Sequence, residues 1–374
     1  MLRYLTSGES HGKCLIAILE GMPSGLKVDV PSINRELSRR MSGYGRGKRM
    51  GIESDNADIL SGLRRSVTIG SPIALMIKNA DHSIDRLPAV IEPRPGHADL
   101  AGALKYDLKD IRSVLERASA RETAARVGVG AICRMLLAEF GIRIISHVTM
   151  IGGVEANASS LGFSRISTIA EKSPVRCADP EASRLMCEAI EDAIERKDTL
   201  GGIFEIIVRG APPGLGSYVQ SDRRLDAALA SAVMSIQAVK GVSFGAGFAA
   251  ARCMGSAAHD EIFYDRKRGF FRVSNNAGGI EGGMTNGEDI VIQAAMKPIS
   301  TLRAPLSSVN IKTKKAVKAA VERSDTCAVP AAGVVGEAVC AVSLANAMIE
   351  KFGGDSLREM KRNYEGYMSQ VRGF

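Results

Sequence analysis

Apolar residues recur every three or four positions over Glu181 to Lys197, where Leu185, Met186, Ala189, Ile190, Ala193 and Ile194 share one face. That spacing predicts an amphipathic surface helix. Arg224 to Val239 carries Ala, Ser, Leu and Met on nearly every side, which predicts a buried, closely packed helix. A third helix is expected from Val335 to Phe352, closed by Gly353-Gly354. A fourth starts near Arg117 and continues through Ala124, Val127, Ala131, Ile132, Met135 and Leu136. Strand-like runs occur at Cys14 to Glu20, Arg143 to Ile151, Ile203 to Arg209 and Asp289 to Ala295. The polar stretch Asn157 to Asp179 reads as an exposed excursion. Small residues recur on several of the helices, which suits helices sandwiched between sheets.

One pattern occurs twice. The run Cys14 to Glu20 is followed by Gly21-Met22-Pro23-Ser24-Gly25, and Ile203 to Arg209 by Gly210-Ala211-Pro212-Pro213-Gly214. Each then enters a helical segment, Ser32 to Met41 or Ser221 to Val239. The repetition points to an internal duplication, with halves at roughly 1–150 and 200–350 of a single domain spanning 1–374. No linker is long or polar enough to separate independent domains.

Composition narrows the function. Hydrophobic residues make up 45% of the 374 positions, aromatic residues 5%, and tryptophan is absent, so the core is aliphatic and alanine-rich. The net charge is +8. No stretch interleaves basic and aromatic residues as nucleic-acid platforms do, and the cations cluster at Arg35 to Arg49 and Arg112 to Arg126. Two compact clusters fit a small polyanion, not nucleic acid. The seven cysteines are scattered, and the histidines show no metal-ligand spacing, so no metal is expected. Reduced thiols, no apolar leader at Met1 to Glu9 and no uninterrupted apolar span point to the cytoplasm and away from membranes.

Several segments carry candidate chemistry. Gly8-Glu9-Ser10-His11-Gly12 lets the backbone bend sharply and offer an imidazole; it is too short for a P-loop. Arg39-Arg40-Met41-Ser42-Gly43-Tyr44-Gly45-Arg46-Gly47-Lys48-Arg49 sets guanidinium groups among glycines, a ligand loop for phosphate or carboxylate. Arg94-Pro95-Gly96-His97-Ala98-Asp99 presents a histidine on a rigid turn. In Arg117 to Arg126, Arg117 and Arg121 fall four apart on one expected helical face, with Ser119 and Thr123 beside them. Glu116 and Glu122 are available to neutralise that pair. Gly278 to Gly287 is glycine-rich, and Lys297 to Thr301 and Arg323-Ser324-Asp325 follow it. Gly245-Ala246-Gly247 lacks the long preceding strand and the acidic partner of a dinucleotide fingerprint.

Taken in order, these segments resemble the chorismate synthase family, over nearly the whole chain from residue 4 to about 345. The resemblance implies a β-α-β sandwich of two related halves, with helices packed between antiparallel sheets, and a homotetramer. It implies a lyase reaction, the 1,4-anti elimination of phosphate from 5-enolpyruvylshikimate 3-phosphate to give chorismate, needing reduced FMN without net redox change. His11 is then expected at the departing phosphate, His97 at the flavin, and Asp325 near flavin N5, where the ring proton leaves. Arg40, Arg46, Arg49 and Arg121 are expected to grip substrate anions. The FMN positions are Arg117, Ala118, Ser119, Gln237, Ala238, Gly282, Lys297, Pro298, Ile299, Ser300, Thr301 and Arg323. Arg40 and Arg46 also match positions assigned to NADP in members that reduce their own flavin with NADPH. The rival reading is an NADPH-dependent flavin reductase.

Overall fold

The computed structural model describes residues 1–47 and 54–374. Alternation builds the first sheet. β1 (Arg3–Ser7) pairs antiparallel with β2 (Cys14–Glu20), in which Leu15, Ala17 and Leu19 are buried while Ile18 faces outward. α1 (Val30–Met41) starts where the Asp29 carboxylate accepts the Ser32 backbone N–H at 3.0 Å. β3 (Ala57–Ile59), the small hairpin β4 (Leu63–Arg64) and β5 (Val67–Thr68), and β6 (Ile73–Lys78) follow. The sheet order is β1-β2-β6-β3. Then come α2 (Asp99–Tyr106), α3 (Arg112–Ala118) and α4 (Thr123–Ala138).

The single helix expected from Arg117 is in fact broken. Ser119 is extended at φ −62°, ψ 140°, and Ala120–Glu122 form a 3₁₀ turn before α4 begins. The Ser119 hydroxyl accepts the Arg121 backbone N–H at 3.3 Å, the local bond that lets serine compete with a helix. Arg117 and Arg121 therefore do not share a helical face.

The second sheet combines β7 (Arg143–Ile151), β8 (Val154–Glu155), β9 (Gly202–Arg209), β10 (Val239–Phe244) and β15 (Ile290–Met296) in the order β10-β15-β9-β7-β8. Between them lie α5 (Phe163–Lys172), α6 (Pro180–Glu195), α7 (Leu225–Met234), the short α8 (Gly255–Ala258), and the hairpins β11 (Ile262–Asp265) with β12 (Gly269–Arg272) and β13 (Ile280–Glu281) with β14 (Met284–Thr285). α9 (Val329–Phe352) and α10 (Leu357–Gly373) close the chain.

Three further expectations need correction. The stretch 157–179 is no bare excursion, because α5 buries Phe163 and Ile166 against Ile145 and Ile207 on the outer face of the second sheet. α7 ends at Met234, not near Val239, which opens β10 after Ala238 takes φ 68°. It also buries only Leu225, Leu229 and Val233, since one face alone meets the core. A strand does precede Gly245, but a 3₁₀ turn over Gly247–Arg252 follows it in place of a phosphate-binding helix.

The two sheets repeat one plan. β1-β2-β6-β3 has the same order as β7-β9-β15-β10. The turns after the two central strands match bond for bond. Gly25 N–H donates to the Thr68 carbonyl at 2.9 Å, and the Thr68 hydroxyl donates to the Pro23 carbonyl at 2.6 Å while accepting Leu26 N–H at 2.9 Å. Gly214, Thr285, Pro212 and Leu215 make the same three bonds at 2.7, 2.6 and 2.8 Å.

α4 and α9 form the layer between the sheets, with α4 on β2 and β6 and α9 on β7 and β9. Glycine permits the approach: a Cβ on Gly130 would lie 2.6 Å from Ala338 Cα. α9 is long and apolar enough to cross a membrane by composition, yet here it is the central helix of one core shared by both sheets.

Candidate functional site

A cavity of about 430 Å³ opens where α4 and α9 begin. Thr123 lines it from the first turn of α4, and Ala331, Ala332 and Val335 line it from α9. The two helices cross about two turns further on, at Gly130 and Ala338, so both leave the cavity in the same direction. Their N-terminal ends thus add positive potential to the same space. The wall carries Arg40, Arg46, Arg94, Arg121, Lys297 and Arg323 against only Glu322 and Asp325. Even with Asp55 and Asp99 buried behind them, the six cations outnumber the carboxylates, an excess of positive charge suited to an anion.

The cations are fixed from behind. Asp55, fully buried, accepts from Arg40 at 2.8 Å and from Arg121 at 2.6 Å. Arg121 also donates to the Asn79 amide oxygen at 2.9 Å, and the Asn79 amide nitrogen ties back to the Gly12 carbonyl at 2.7 Å. Burial, joined by the nearby Arg46 and Arg121 charges, lowers Arg40 to about 10 despite Asp55. Its buried Nε has no hydrogen-bond partner. Arg46 lies 3.3 Å from Asp325, whose other oxygen accepts Gly47 N–H at 2.7 Å, so this loop is pinned to the segment leading into α9.

Two histidines face the cavity, each backed by a buried carboxylate. His11 Nδ1 lies 2.9 Å from both oxygens of Glu116, which also accepts His11 backbone N–H at 2.8 Å. Burial alone would raise the Glu116 carboxyl, but His11 and Arg112 outweigh it and hold the group below its usual range. His97 Nδ1 lies 2.5 Å from Asp99, and Arg94 grips Asp99 through Nε at 2.8 Å and Thr301 at 2.7 Å. Burial opposes ionisation of Asp99 too, yet hydrogen bonds from His97 and Arg94 keep it far below the usual carboxylate value.

Most of the residues singled out in the sequence meet here. His11, His97, Asp325, Arg40, Arg46, Arg121, Ala118, Ser119, Gln237, Ala238, Lys297, Ile299, Ser300, Thr301 and Arg323 all line the cavity. Ser119 Oγ donates to Ser10 Oγ at 3.2 Å, and Lys297 donates to the Gly96 carbonyl. Gln237 donates to Glu122 at 3.4 Å, while its buried Oε1 has no partner. Pro298 does not line the wall between its neighbours. Nor does Arg117, which is exposed and donates to the Thr6 and Gly8 carbonyls at 3.0 Å. Gly282 sits in the β13–β14 turn, also off the wall. Arg49, with Lys48 of the same loop, lies outside the described residues.

Glu116 and Glu122, available in the sequence to neutralise Arg117 and Arg121, take other partners. Glu116 pairs with His11 and Glu122 with Arg126, while Arg121 relies on Asp55. Asp55 and Asn79 carried no local signal: each is an ordinary polar residue beside a strand, and only the fold brings it to an arginine. Among the described residues no cluster of His, Cys, Asp and Glu is arranged to hold a metal.

Comparison with known proteins agrees with this geometry. A family model described as chorismate synthase matches residues 2–349. The chain is 57% identical to a chorismate synthase of Geobacter sulfurreducens and 54% identical to that of Geobacter metallireducens, each covering 100% of both sequences. A crystal structure of a chorismate synthase superposes with a TM-score of 0.83 at 45% identity, covering 100% of this chain and 99% of the other. A lyase fold of two antiparallel sheets around paired helices, matched from end to end at this identity, leaves one assignment: the chain belongs to the chorismate synthase family.

Proposed function

We propose that this chain converts 5-enolpyruvylshikimate 3-phosphate to chorismate by 1,4-anti elimination of phosphate, with reduced FMN bound and no net redox change. The observation that carries the reading is one cavity holding six cations and two carboxylate-backed histidines. The substrate brings two carboxylates and a phosphate, and FMN a further phosphate, so an excess of cations is what the ligands require.

The residues present fit a flavin. The unpartnered Gln237 Oε1 is a buried acceptor on the wall, and Ala238 beside it turns the backbone at φ 68°. Ala118, Ser119, Gln237, Ala238, Lys297, Ile299, Ser300, Thr301 and Arg323 would hold the cofactor, with Arg117, Pro298 and Gly282 contributing from outside this wall. Reduced FMN, when bound, would supply electron density to the carbon–oxygen bond that breaks. Arg40, Arg46, Arg49 and Arg121 bind the substrate anions. His11 donates a proton to the departing phosphate, His97 stabilises negative charge at the flavin edge, and Asp325 assists loss of the ring proton. Arg40 and Arg46 would serve NADPH if the chain reduces its own flavin.

Two properties of the whole protein belong to the same reading. All seven cysteines are free, four of them buried, which suits a reducing cytoplasm. Ile262, Tyr264 and Phe270 on the β11–β12 hairpin are each more than half exposed, an apolar surface that self-association into a homotetramer would cover. The matched Pro–Gly–Thr turns support descent of the two halves from one unit.

The test is anaerobic. Protein, chemically reduced FMN and the phosphorylated enol ether should release inorganic phosphate and the product's ultraviolet signature over many turnovers, with reductant unconsumed. Consumption of one NADPH per turnover, with no phosphate released, would establish a reductase instead.

A further inference from the structure

Glu116 does more than close an ion pair. Its side chain is 0% exposed, and it faces consecutive residues of the Gly8–Gly12 turn. Its main-chain carbonyl accepts Ser10 N–H at 3.1 Å, Oε2 accepts His11 N–H at 2.8 Å, and both oxygens lie 2.9 Å from His11 Nδ1. Burying a carboxylate is costly, and a turn needs no charge to hold its shape. The second contact explains the expense. A carboxylate only accepts, so the nitrogen facing it carries its proton in every protonation state of the ring. Nε2, which pairs with none of the described residues, is left as the atom that gains and loses a proton at the cavity.

We propose that Glu116 is a positioning residue for the elimination: it locks His11 as the Nδ1–H tautomer, so that Nε2 delivers the proton to the departing phosphate. This rests on the function proposed above. The substrate's carbon–oxygen bond breaks with its electron pair going to phosphate. That oxygen takes the proton from Nε2, and the imidazole is left neutral with Nδ1–H still bonded to Glu116. The ring C–H electrons form one new double bond, the existing ring double bond shifts to the carbon that held the phosphate, and the carbon-bound proton goes to Asp325. The remaining charged groups near Glu116 do not substitute for it. Arg112, on the same helix, approaches only to 3.6 Å and pairs with Glu322 at 2.9 Å.

Glu116→Gln separates this role from simple packing. The His11 backbone N–H can only donate, so it claims the amide oxygen. The amide NH₂ then faces Nδ1, which must become an acceptor, and the ring switches to the Nε2–H tautomer. Nitrogen-15 NMR of histidine-labelled protein, with the His11 signals assigned through His11→Asn, reads the tautomer directly. The neutral parent ring is expected as Nδ1–H and the E116Q ring as Nε2–H. Turnover should fall by about a hundredfold or more in E116Q, the usual loss of a general acid, with KM changed by a few-fold at most. Glu116→Asp, which keeps the charge on a shorter arm, should recover part of the turnover and the Nδ1–H tautomer. If E116Q does not fold, the parent and E116D tautomers decide. An Nε2–H ring in the parent, or parent-like turnover in folded E116Q, overturns the proposal. A parent protein that releases no phosphate at all overturns the reaction assignment instead, while leaving the tautomer result standing.

Discussion

Asp55→Asn is the most searching perturbation of the anion receptor. Asp55 is the fully buried carboxylate between two guanidiniums that are themselves only 5% and 4% exposed. Asparagine keeps the shape, but its one oxygen can serve only one arginine, and its NH₂ then confronts the other donor. Two buried positive charges lose their shared counter-charge. Removing one partner of a buried ion pair costs about 3–5 kcal/mol. In a chain of this size that corresponds to a fall in Tm of roughly 6–10 °C, at about 2 °C per kcal/mol. An added anion restores the missing charge from the cavity side. Phosphate at 100 times its Kd would return about 2.7 kcal/mol. Differential scanning fluorimetry of parent and D55N across a phosphate titration makes the measurement. The variant should start lower and gain more from phosphate than the parent does. A D55N protein melting within about 2 °C of the parent, with the same response to phosphate, would refute the claim that these arginines await an anion.

Two other outcomes follow from the core. Gly130→Ala places a Cβ 2.4 Å from Ala338 Cβ and 2.7 Å from the Ala338 carbonyl oxygen, so the helices must separate; chemical denaturation should show a loss of about 1–3 kcal/mol, and no loss would mean that the α4–α9 crossing is looser than described. Glu337 is fully buried on α9, where burial would raise its carboxyl but Arg39, Arg134 and Arg176 hold it far below its ordinary 4.5. A depressed folded value means that its contribution is complete above pH 4.5 and is lost as the pH falls below that, toward the folded value. Melting curves should therefore drop steeply on the acid side of that point in the parent, and less steeply in Glu337→Gln; equal slopes would exclude Glu337 as a source of acid lability.

Much of this was legible along the chain because the physics was local. The strand-like runs, the amphipathic helix over Glu181 to Lys197 and the repeated glycine-proline turns each depend on a few neighbouring residues, and β2, β7, β9, β15, α6 and both turns lie where the pattern put them. The cationic segments also declared themselves as clusters, and Arg40, Arg46 and Arg121 from them line one cavity. What stayed hidden depended on distance. Asp55 is 66 residues from Arg121, and Glu337 is 298 from Arg39. A window of sequence shows such carboxylates as ordinary polar residues. Glu116 is hidden in the same way: Arg117 and Arg121 are near it in sequence, but its partner His11, 105 residues away, is near it in space.

The break at Ser119 shows how one local bond sets a site. Arg117 closes α3 and turns outward to the Thr6 and Gly8 carbonyls. Had α3 run unbroken into α4, Arg121 would have followed one turn above it on that same outer face. Asp55 and Asn79 would then lack their donor, and the cavity would lose one of its six cations. The extended residue at Ser119 instead swings the next turn inward, buries Arg121 and starts a fresh helix whose N-terminus faces the cavity. The anion receptor therefore depends on a serine in the one place where a longer helix would have been the stronger local choice.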